Sequence, residues 1–319
     1  MGKVLVTGAY GFIGAAYCAH LAARKIPYVG AVRARRADES RPEIVEVGDF
    51  ADADWTEPLV AEPVDCIIHL AARAHRMKDD APDPRAAYRR QNVEVTNDLL
   101  EAALAAQVRR LVFASSVKVH GEATAPGVIL RESDPVAPQD DYARSKAEAE
   151  AWVREFGQEH AIETVILRLP LVYGPGVKAN FAVLVDAVRE RRVLPLGAII
   201  NQRSLLGVTN LCAAIDAART HPLAAGETFF VADGEDVSTP ELVRAIGVAL
   251  AVRPRLWRCP LQLLLLLATL ALRRAAARRL LESFAIDSAK IRRTLGWTPP
   301  LTLADELQCV AQALRRARS

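Results

Sequence analysis

The sequence predicts an α/β fold in which a parallel sheet is covered by helices on both faces. Short apolar segments, from KVLVTG and YVGAV near the start to RLVFASS and TVILRLP near the middle, alternate with longer helical stretches. This alternation is typical of βαβ units, and the nearly continuous apolar runs fit strands buried on both faces. With 319 residues, the chain has room for one large α/β unit and a smaller lobe.

Composition and charge indicate a compact chain without a nucleic-acid site. Hydrophobic residues make up 51% and charged residues 25%, as in globular proteins, and the net charge is only +3. The cysteines are odd in number and lack CxxC spacing, which predicts reduced core residues and neither a disulfide nor a zinc site. They are Cys18, Cys66, Cys212, Cys259 and Cys309. The histidines show no close pair that would ligate a metal, so no metal site is expected.

The first strand, KVLVTG, runs directly into a glycine motif. In VLVTGAYGFIG, Gly8, Gly11 and Gly14 stand between this strand and a helix predicted over 12–25. Glycines at this spacing allow a tight turn and bring the backbone close to a pyrophosphate at the helix N-terminus. The chain therefore predicts a Rossmann-like, doubly wound parallel sheet with a dinucleotide site at its start.

In dinucleotide-binding folds, the residue at the end of the second strand, here YVGAV, distinguishes NAD from NADP. A carboxylate there binds a ribose 2′-hydroxyl, whereas arginine accommodates a 2′-phosphate. Val32 and Arg33 occupy this position, and Arg35 and Arg36 follow. We therefore predict NADP(H), contacted by Arg33 and Arg36, with NAD as the alternative cofactor; a solvated basic loop is the competing interpretation.

The later elements continue the alternation. After the strands EIVEVGD and CIIHLAA, a helix is predicted to begin at Asp83 as cap and Pro84 as first residue, and to end near Gln107. The next strand, RLVFASS, ends 26 residues before Tyr142. Tyr142 and Lys146, in DDYARSKAEAE, are four residues apart and share one helix face.

Beyond the strand TVILRLP the pattern changes. Glycine- and proline-containing loops flank a helix predicted over 182–191, and mostly helical sequence follows the strand ETFFVAD. We predict a dinucleotide-binding domain over 1–169, rejoined by 204–232, and a smaller, mostly helical substrate lobe over 170–203 and 233–319.

Two features bear on location. The start, MGKVLVTG, lacks the features of a signal peptide, so a cytoplasmic protein is expected. The apolar segment 261–272 is shorter than the ~20 residues that span a bilayer. It predicts a buried helix followed by the basic RRAAARR, with a helix lying weakly on a membrane surface as the alternative.

The tyrosine and lysine suggest proton transfer. Because the usual pKa of tyrosine is about 10, loss of its proton near neutrality requires a nearby positive charge. Lys146 is expected to supply it. Together with TGAYGFIG, HLAA, FASSVKVHG, LRLPLVYGPG and LGWTPP, the YARSK segment resembles extended short-chain dehydrogenases/reductases of the NAD(P)-dependent nucleotide-sugar epimerase/dehydratase family over nearly the full length.

This resemblance implies roles for individual residues. Lys146 would bind the nicotinamide ribose, Ser116 would hydrogen-bond the reacting oxygen, and Tyr142 would transfer the proton. The further cofactor contacts that it implies are Phe12, Ile13, Asp49, Phe50, Leu70, Ala71, Ala72, Asn92, Ser115 and Pro170. Substrate contacts would come from Ser116, Lys118, Tyr142, Asn180 and Arg203, the last two at the diphosphate of a nucleotide sugar.

The residues that follow Ser116 indicate which of the family's reactions the chain catalyses. Sugar 4,6-dehydratases carry an Asp-Glu pair there, whereas this chain has Val117 and Lys118, so dehydration is disfavoured. The segments SSVKVHGE, GVKANF and PLGAIINQRSL resemble a branch containing reductases that form UDP-N-acetylquinovosamine. The first expectation is NADPH-dependent reduction of a UDP-4-keto-6-deoxy-N-acetylhexosamine for surface polysaccharide synthesis.

Other expectations stay open beside it. One alternative is a UDP-glucose or UDP-N-acetylglucosamine 4-epimerase with bound NAD, and a second is a non-catalytic NADP-binding sensor. The resemblance also implies a homodimer built on the helices near 83–107 and 140–160.

Overall fold

The structure, a computed structural model, describes residues 2–60, 63–74, 81–260, 262 and 281–317. The strands in chain order are β1 (Lys3–Thr7), β2 (Tyr28–Val32), β3 (Ile44–Glu46), β4 (Val64–His69), β5 (Arg110–Ser116), β6 (Ile129–Leu130), β7 (Glu163–Leu169), β8 (Leu171–Tyr173), β9 (Val193–Leu194), β10 (Leu205–Gly207), β11 (Thr228–Phe230), β12 (Arg255–Leu256) and β13 (Ala285–Ile286).

The α-helices in chain order are α1 (Phe12–Ala23), α2 (Thr56–Val60), α3 (Pro84–Arg89), α4 (Val95–Ala105), α5 (Asp141–Glu159), α6 (Ala179–Arg189), α7 (Val208–Thr220), α8 (Thr239–Ala249), α9 (Ala289–Leu295) and α10 (Leu303–Arg316). A single π-helical turn, Arg90–Glu94, joins α3 to α4. The helix predicted over 83–107 is therefore continuous but locally widened, which the sequence pattern did not indicate.

The central sheet has seven strands in the order β11-β7-β5-β4-β1-β2-β3, and every pairing in it is parallel. The chain runs outward from β1 in one direction and, from β4 onward, in the other. In such sheets ligands bind beyond the carboxyl ends of the strands at this reversal. Thr7 and His69 are paired there. The predicted doubly wound parallel fold is confirmed.

Helices cover both faces of the sheet, each through its own apolar cluster. On one face, Tyr17 and Leu21 of α1 pack with Leu211 of α7. On the other, Leu99 of α4 packs with Val153 of α5. The sheet is thus buried on both sides, which explains the strongly apolar strand sequences.

A smaller core lies between α6, α8 and α10, where Phe181, Ile246 and Leu307 are buried together. The predicted helix over 182–191 begins three residues earlier, after Lys178 in extended conformation, and ends before Arg191, whose φ is +55°. The proposed division of the chain at residue 169 stays a prediction.

The apolar segment 261–272 lies outside the described residues except for Gln262. Among the helices that are described, none combines the length and apolar character needed to cross a bilayer.

Candidate active site

The turn after β1 is shaped to receive a dinucleotide pyrophosphate. Gly8 adopts a left-handed φ of +71°, and a Cβ on it would stand 3.0 Å from the Cα of Ala71, so a larger residue would be strained and crowded. Helix α1 follows Gly11 without a capping side chain or an acidic residue in its first turn, where Phe12 and Ile13 lie. Its free N–H groups and positive end suit an anionic phosphate.

The predicted adenosine contacts come together at the end of β2. The guanidinium carbon of Arg33 lies 5.7 Å from the ring centroid of Phe50, and Nη2 donates to Gln91 at 3.1 Å. Gln91 in turn donates to Asp49 at 2.8 Å and, as the largest contribution, lowers the pKa of that carboxyl. Sequence reasoning missed Gln91, because a polar residue on a helix gives no signal of its own.

Arg36 lies on the other side of this loop. Its guanidinium carbon is 4.2 Å from the ring centroid of Tyr10, and its backbone N–H donates to the Tyr10 hydroxyl at 3.4 Å. That hydroxyl donates to Glu39 at 3.0 Å. Arg33 and Arg36 are both exposed at the end of the strand that ends in Val32.

A buried chain of hydrogen bonds begins where β1 and β4 end. The Thr7 hydroxyl accepts the backbone N–H groups of residues 70 and 71, each at 3.1 Å, and lies 2.8 Å from His69 Nδ1. The threonine proton is therefore directed at Nδ1, and we assign the imidazole hydrogen to Nε2. Nε2 lies 3.1 Å from the Thr96 hydroxyl.

This chain continues through the π-helical turn to the helix of the predicted catalytic residues. The Thr96 hydroxyl donates to the carbonyl of Asn92 at 2.7 Å. The Asn92 side chain accepts from Arg73 N–H at 2.7 Å and donates to the Arg73 carbonyl at 3.2 Å and to the Ser145 hydroxyl at 2.9 Å. Ser145 donates to the Tyr142 carbonyl at 2.8 Å. The structure gives Asn92 a positioning role, and its cofactor contact stays a prediction.

Tyr142 lies in the first turn of α5, beside Ser116 at the end of β5. Asp140 caps this helix, accepting the Ala143 N–H at 2.6 Å. Burial raises the pKa of Tyr142 to about 12, while a hydrogen bond with the Ser116 hydroxyl lowers it and the Asp140 charge and Tyr88 raise it. The phenol is therefore protonated at neutral pH, which is the form of a general acid.

Lys146 is buried against Phe113 of β5. Its Nζ is 3.8 Å from the centroid of the Phe113 ring, and burial lowers its pKa to about 7, partly opposed by Glu150. The pKa of Tyr142 is raised, and its lowering contribution comes from Ser116 and not from Lys146. The expected roles of Lys146 beside Tyr142 and at the nicotinamide ribose stay predictions.

Behind these residues lies a buried ionic network that sequence reasoning missed. The Ser115 hydroxyl donates to Glu150 at 2.5 Å, and Arg168 donates to the same carboxylate with Nε at 3.0 Å and Nη2 at 2.7 Å. Arg168 Nη1 also lies 2.7 Å from His120 Nε2. Burial raises the pKa of Glu150, but the bonds and charge of Arg168 outweigh it and leave this pKa lowered. The predicted nicotinamide contact of Ser115 stays a prediction.

The side chain of Lys118 is engaged by two carboxylates of the protein. Its Nζ donates to Glu122 at 2.8 Å and to Asp140 at 2.9 Å, so it secures the cap of α5. Val117 beside it is buried. The predicted substrate contact of Lys118 is untested, whereas its role at this helix end is evident.

The predicted diphosphate residues differ in their surroundings. Arg203 is held by backbone hydrogen bonds with Val237 in both directions, each 3.0 Å long. Removal from water lowers the pKa of its guanidinium, and among the described residues no carboxylate forms an ion pair with it. Asn180 is exposed in the first turn of α6. Leu70, Ala71 and Ala72 follow β4, and Pro170 follows β7.

The fold and site together define a dinucleotide-dependent oxidoreductase of the doubly wound class. The chain belongs to the NAD dependent epimerase/dehydratase family, whose sequence profile matches residues 4–232. This confirms the family predicted from the sequence and makes the chain a nucleotide-sugar enzyme of the epimerase/dehydratase type that works with NAD.

Several known proteins are similar over nearly the whole chain. A UDP-glucose 4-epimerase of Vibrio cholerae is 37% identical over 321 residues, covering 99% of this chain and 97% of that protein. A dTDP-glucose 4,6-dehydratase of Streptomyces antibioticus is 29% identical, covering 95% and 89%. The structure of MoeE5 in complex with UDP-glucose and NAD is 25% identical, covers all of both chains and superposes with a TM-score of 0.76.

Proposed function

We propose that this enzyme interconverts the hydroxyl and the ketone at C4 of a UDP-hexose. The observation that carries this proposal is the Tyr142 phenol paired with the Ser116 hydroxyl at the carboxyl edge of the sheet, beside the dinucleotide turn. A bound nicotinamide supplies hydride transfer. Tyr142 would give and take the proton at the C4 oxygen, and Ser116 would hold that oxygen.

The protonated phenol suits the reductive direction. Charge grows on the C4 oxygen as the ketone is reduced, and two fixed donors aimed at that oxygen stabilise it. A preorganised donor of this kind typically contributes ~10² to 10³ in rate. The bonds through Asn92 and Ser145, and the cap at Asp140, support this purpose because they fix the backbone that carries Tyr142.

Arg203 supports a diphosphate-bearing substrate. Its guanidinium is desolvated and has no described carboxylate partner. A planar fork of donors matches a diphosphate, which would supply the missing negative charge. Asn180 would add an amide contact. The UDP group is favoured by the similar proteins whose names include UDP-glucose.

Epimerisation with retained NAD is the first candidate reaction. It is favoured by the full-length relative from Vibrio cholerae, and this reverses the order expected from the sequence, in which ketone reduction came first. Dehydration is disfavoured, because Val117 is buried and Lys118 is engaged by Glu122 and Asp140.

Reduction of a 4-keto sugar by NADPH is the second candidate, and a specific observation favours it. The end of β2 carries Val32 and Arg33 in place of a carboxylate, and the exposed Arg33 and Arg36 lie against the Phe50 and Tyr10 rings there. Two guanidiniums at this place suit a 2′-phosphate. In this reading the cofactor exchanges at every turnover.

One experiment separates these candidates. The protein is purified, denatured and analysed for released dinucleotide, and the native protein is assayed with UDP-glucose and UDP-N-acetylglucosamine without added cofactor. We expect retained NAD and 4-epimerised product. An empty protein that binds NADPH and reduces a UDP-4-keto sugar would establish the second candidate. Tight NADP binding without turnover of either substrate class would contradict both and favour a sensor.

Two further proposals concern assembly and location. A homodimer through the helices of residues 84–105 and α5 is supported by Trp152 on α5, whose side chain is exposed in the single chain. A cytoplasmic location is proposed from the sequence.

A further inference from the structure

A long stretch of the chain is basic without any acidic residue. Residues 242–281 contain eight arginines and neither aspartate nor glutamate, whereas the whole chain has a net charge of only +3. The remainder of the chain is therefore net acidic. Four of these arginines are described by the structure: Arg244, Arg253, Arg255 and Arg258.

The structure brings these arginines to one side of the smaller lobe. Arg244 and Arg253 line a concave surface of about 600 Å³ together with Val248, Pro254 and Leu256. Arg244 and Val248 are one turn apart on α8, so both face this concavity. Basic and apolar side chains thus share one surface.

The adjoining two-stranded sheet extends this surface. Its strands β9 and β12 are parallel, with Val193 beside Arg255 and Leu194 beside Leu256. Leu194 and Leu256 pack against the lobe core, and because successive side chains in a strand alternate, Val193 and Arg255 face outward. Trp257 follows directly, and its N–H donates to the Leu194 carbonyl at 2.9 Å.

The exposure of the apolar members is high for a folded lobe. Trp257 and Val193 are each 51% exposed and Val248 is 76% exposed. Arg253, Arg255 and Arg258 are exposed too, and none of the ion pairs between described residues includes them. Exposed apolar side chains interspersed with cations that are in none of these ion pairs are a feature of interaction surfaces.

We propose that this surface, formed by Val193, Arg244, Val248, Arg253, Arg255, Trp257 and Arg258, docks on a bilayer that contains anionic phospholipid. Tryptophan is enriched at the membrane interface, where its ring sits at headgroup level. Basic side chains are attracted to the negative surface of anionic lipid. The surface binds peripherally, through the smaller lobe.

The chemistry favours a bilayer over another polyanion. A nucleic acid would satisfy the arginines but leave Val193 and Val248 in water, whereas the interface accepts both kinds of group. The apolar segment 261–272, predicted as a buried or membrane-surface helix, follows Pro260 in the sequence.

The test is co-sedimentation of the full-length protein with sucrose-loaded vesicles of phosphatidylcholine alone or with 30 mol% phosphatidylglycerol, about a third anionic lipid. We expect binding only to the anionic vesicles, weakened by salt. Arg253→Glu/Arg255→Glu should reduce the partition coefficient by about thirtyfold or more. Each basic side chain near an anionic surface contributes roughly tenfold or less to binding, and two are removed. Trp257→Ser should reduce it at constant charge.

Matched variants control for charge and hydrophobicity elsewhere. Lys25→Glu/Arg315→Glu changes the net charge equally, and Leu223→Ser removes another exposed apolar side chain. Both should bind as the wild type does. The proposal is overturned if the wild type ignores anionic vesicles at physiological salt or if the control pair weakens binding equally. It is also overturned if Trp257→Ser is without effect while duplex DNA displaces the protein from vesicles, which would mean nonspecific polyanion binding.

Discussion

The central sheet and the smaller lobe differ in whether their desolvated polar groups have partners within the protein. At the sheet, Glu150 is desolvated but bound by Arg168, and His69 has a partner at each ring nitrogen. In the lobe, the guanidinium of Arg203 is desolvated without a described carboxylate. Because a buried charge without a partner is costly, it persists where a ligand completes it. The region of the proposed catalytic residues is thus preorganised by the protein, whereas Arg203 in the smaller lobe would be completed by the diphosphate of the proposed substrate.

The largest expected effect comes from removing the proton donor of the preorganised region. Tyr142→Phe should lower kcat by about 10³-fold or more, because it removes the general acid and a donor at the developing oxyanion. Dinucleotide content should be unchanged, since the phosphate turn and the Asn92 bonds remain. Steady-state assay and cofactor analysis check this.

Tyr88→Phe is the matched control. Its ring lies 6.2 Å from that of Tyr142, and its hydroxyl donates to the Ala74 carbonyl at 3.3 Å. It should keep turnover within about tenfold of the wild type, as expected for a group outside the proton-transfer step. Near-normal turnover by Tyr142→Phe would remove the basis of the proposed reaction.

The next effect compares Arg203, which is partly buried, with the fully buried Arg168. Arg203→Met should lower kcat/KM by about 10²-fold, mainly through KM, because a charge-assisted contact with the diphosphate is lost. The ligand-free variant should be as stable as the wild type or more stable, since a desolvated charge without a described carboxylate partner is gone. UDP should raise its melting temperature less than it raises that of the wild type.

Arg168→Met should act in the opposite direction on stability. It removes the buried ion-pair partner of the Glu150 carboxylate and leaves Ser115 and the partly exposed Arg154 to bind it. Loss of a buried partner typically costs about 3–5 kcal/mol. Chemical denaturation of both variants checks the comparison. Equal destabilisation by the two substitutions would show that Arg203 has a partner of its own and would end the contrast between the two regions.

The sequence could predict those parts of the fold and site that depend on local patterns, but not those that depend on tertiary contacts. The strands, the glycine turn and the pair Tyr142 and Lys146 are local patterns, so periodicity and spacing found them. Glu150 was missed because, four residues after Lys146, it resembles an ordinary exposed ion pair on a helix. Its partner Arg168 is 18 residues away in sequence.

The widened turn at Arg90–Glu94 is a second feature beyond local prediction. A π-helical turn changes the helix register without changing its apolar pattern, so nothing in the sequence announced it. Yet it carries both Gln91 and Asn92. Gln91 donates to Asp49, a predicted cofactor contact, and Asn92 donates to Ser145 of α5. This turn is stabilised by tertiary hydrogen bonds, which a local sequence pattern does not contain.

The smallest effect concerns His69, the link between the dinucleotide turn and α4. Burial, and then the charge of Lys146, lowers the pKa of His69 to about 3. An unfolded histidine has a pKa near 6.5. Below that value the unfolded chain binds a proton that the folded chain does not, so stability is lost as pH falls from about 6.5 towards 3.

His69→Gln keeps polar atoms at this position but does not titrate. Urea unfolding at pH 7.5 should show a cost of about 1–3 kcal/mol from imperfect bonds to Thr7 and Thr96. At pH 5.5 the gap to the wild type should narrow by about 1.4 kcal/mol, the value of one pH unit of linkage. Thr96→Val, which keeps the imidazole, should lower stability while retaining the wild-type pH slope. Parallel pH profiles for wild type and His69→Gln would mean that His69 takes up its proton in the fold as readily as in the unfolded chain. The region of the proposed catalytic residues would then tolerate a buried charge, as the site of Arg203 does.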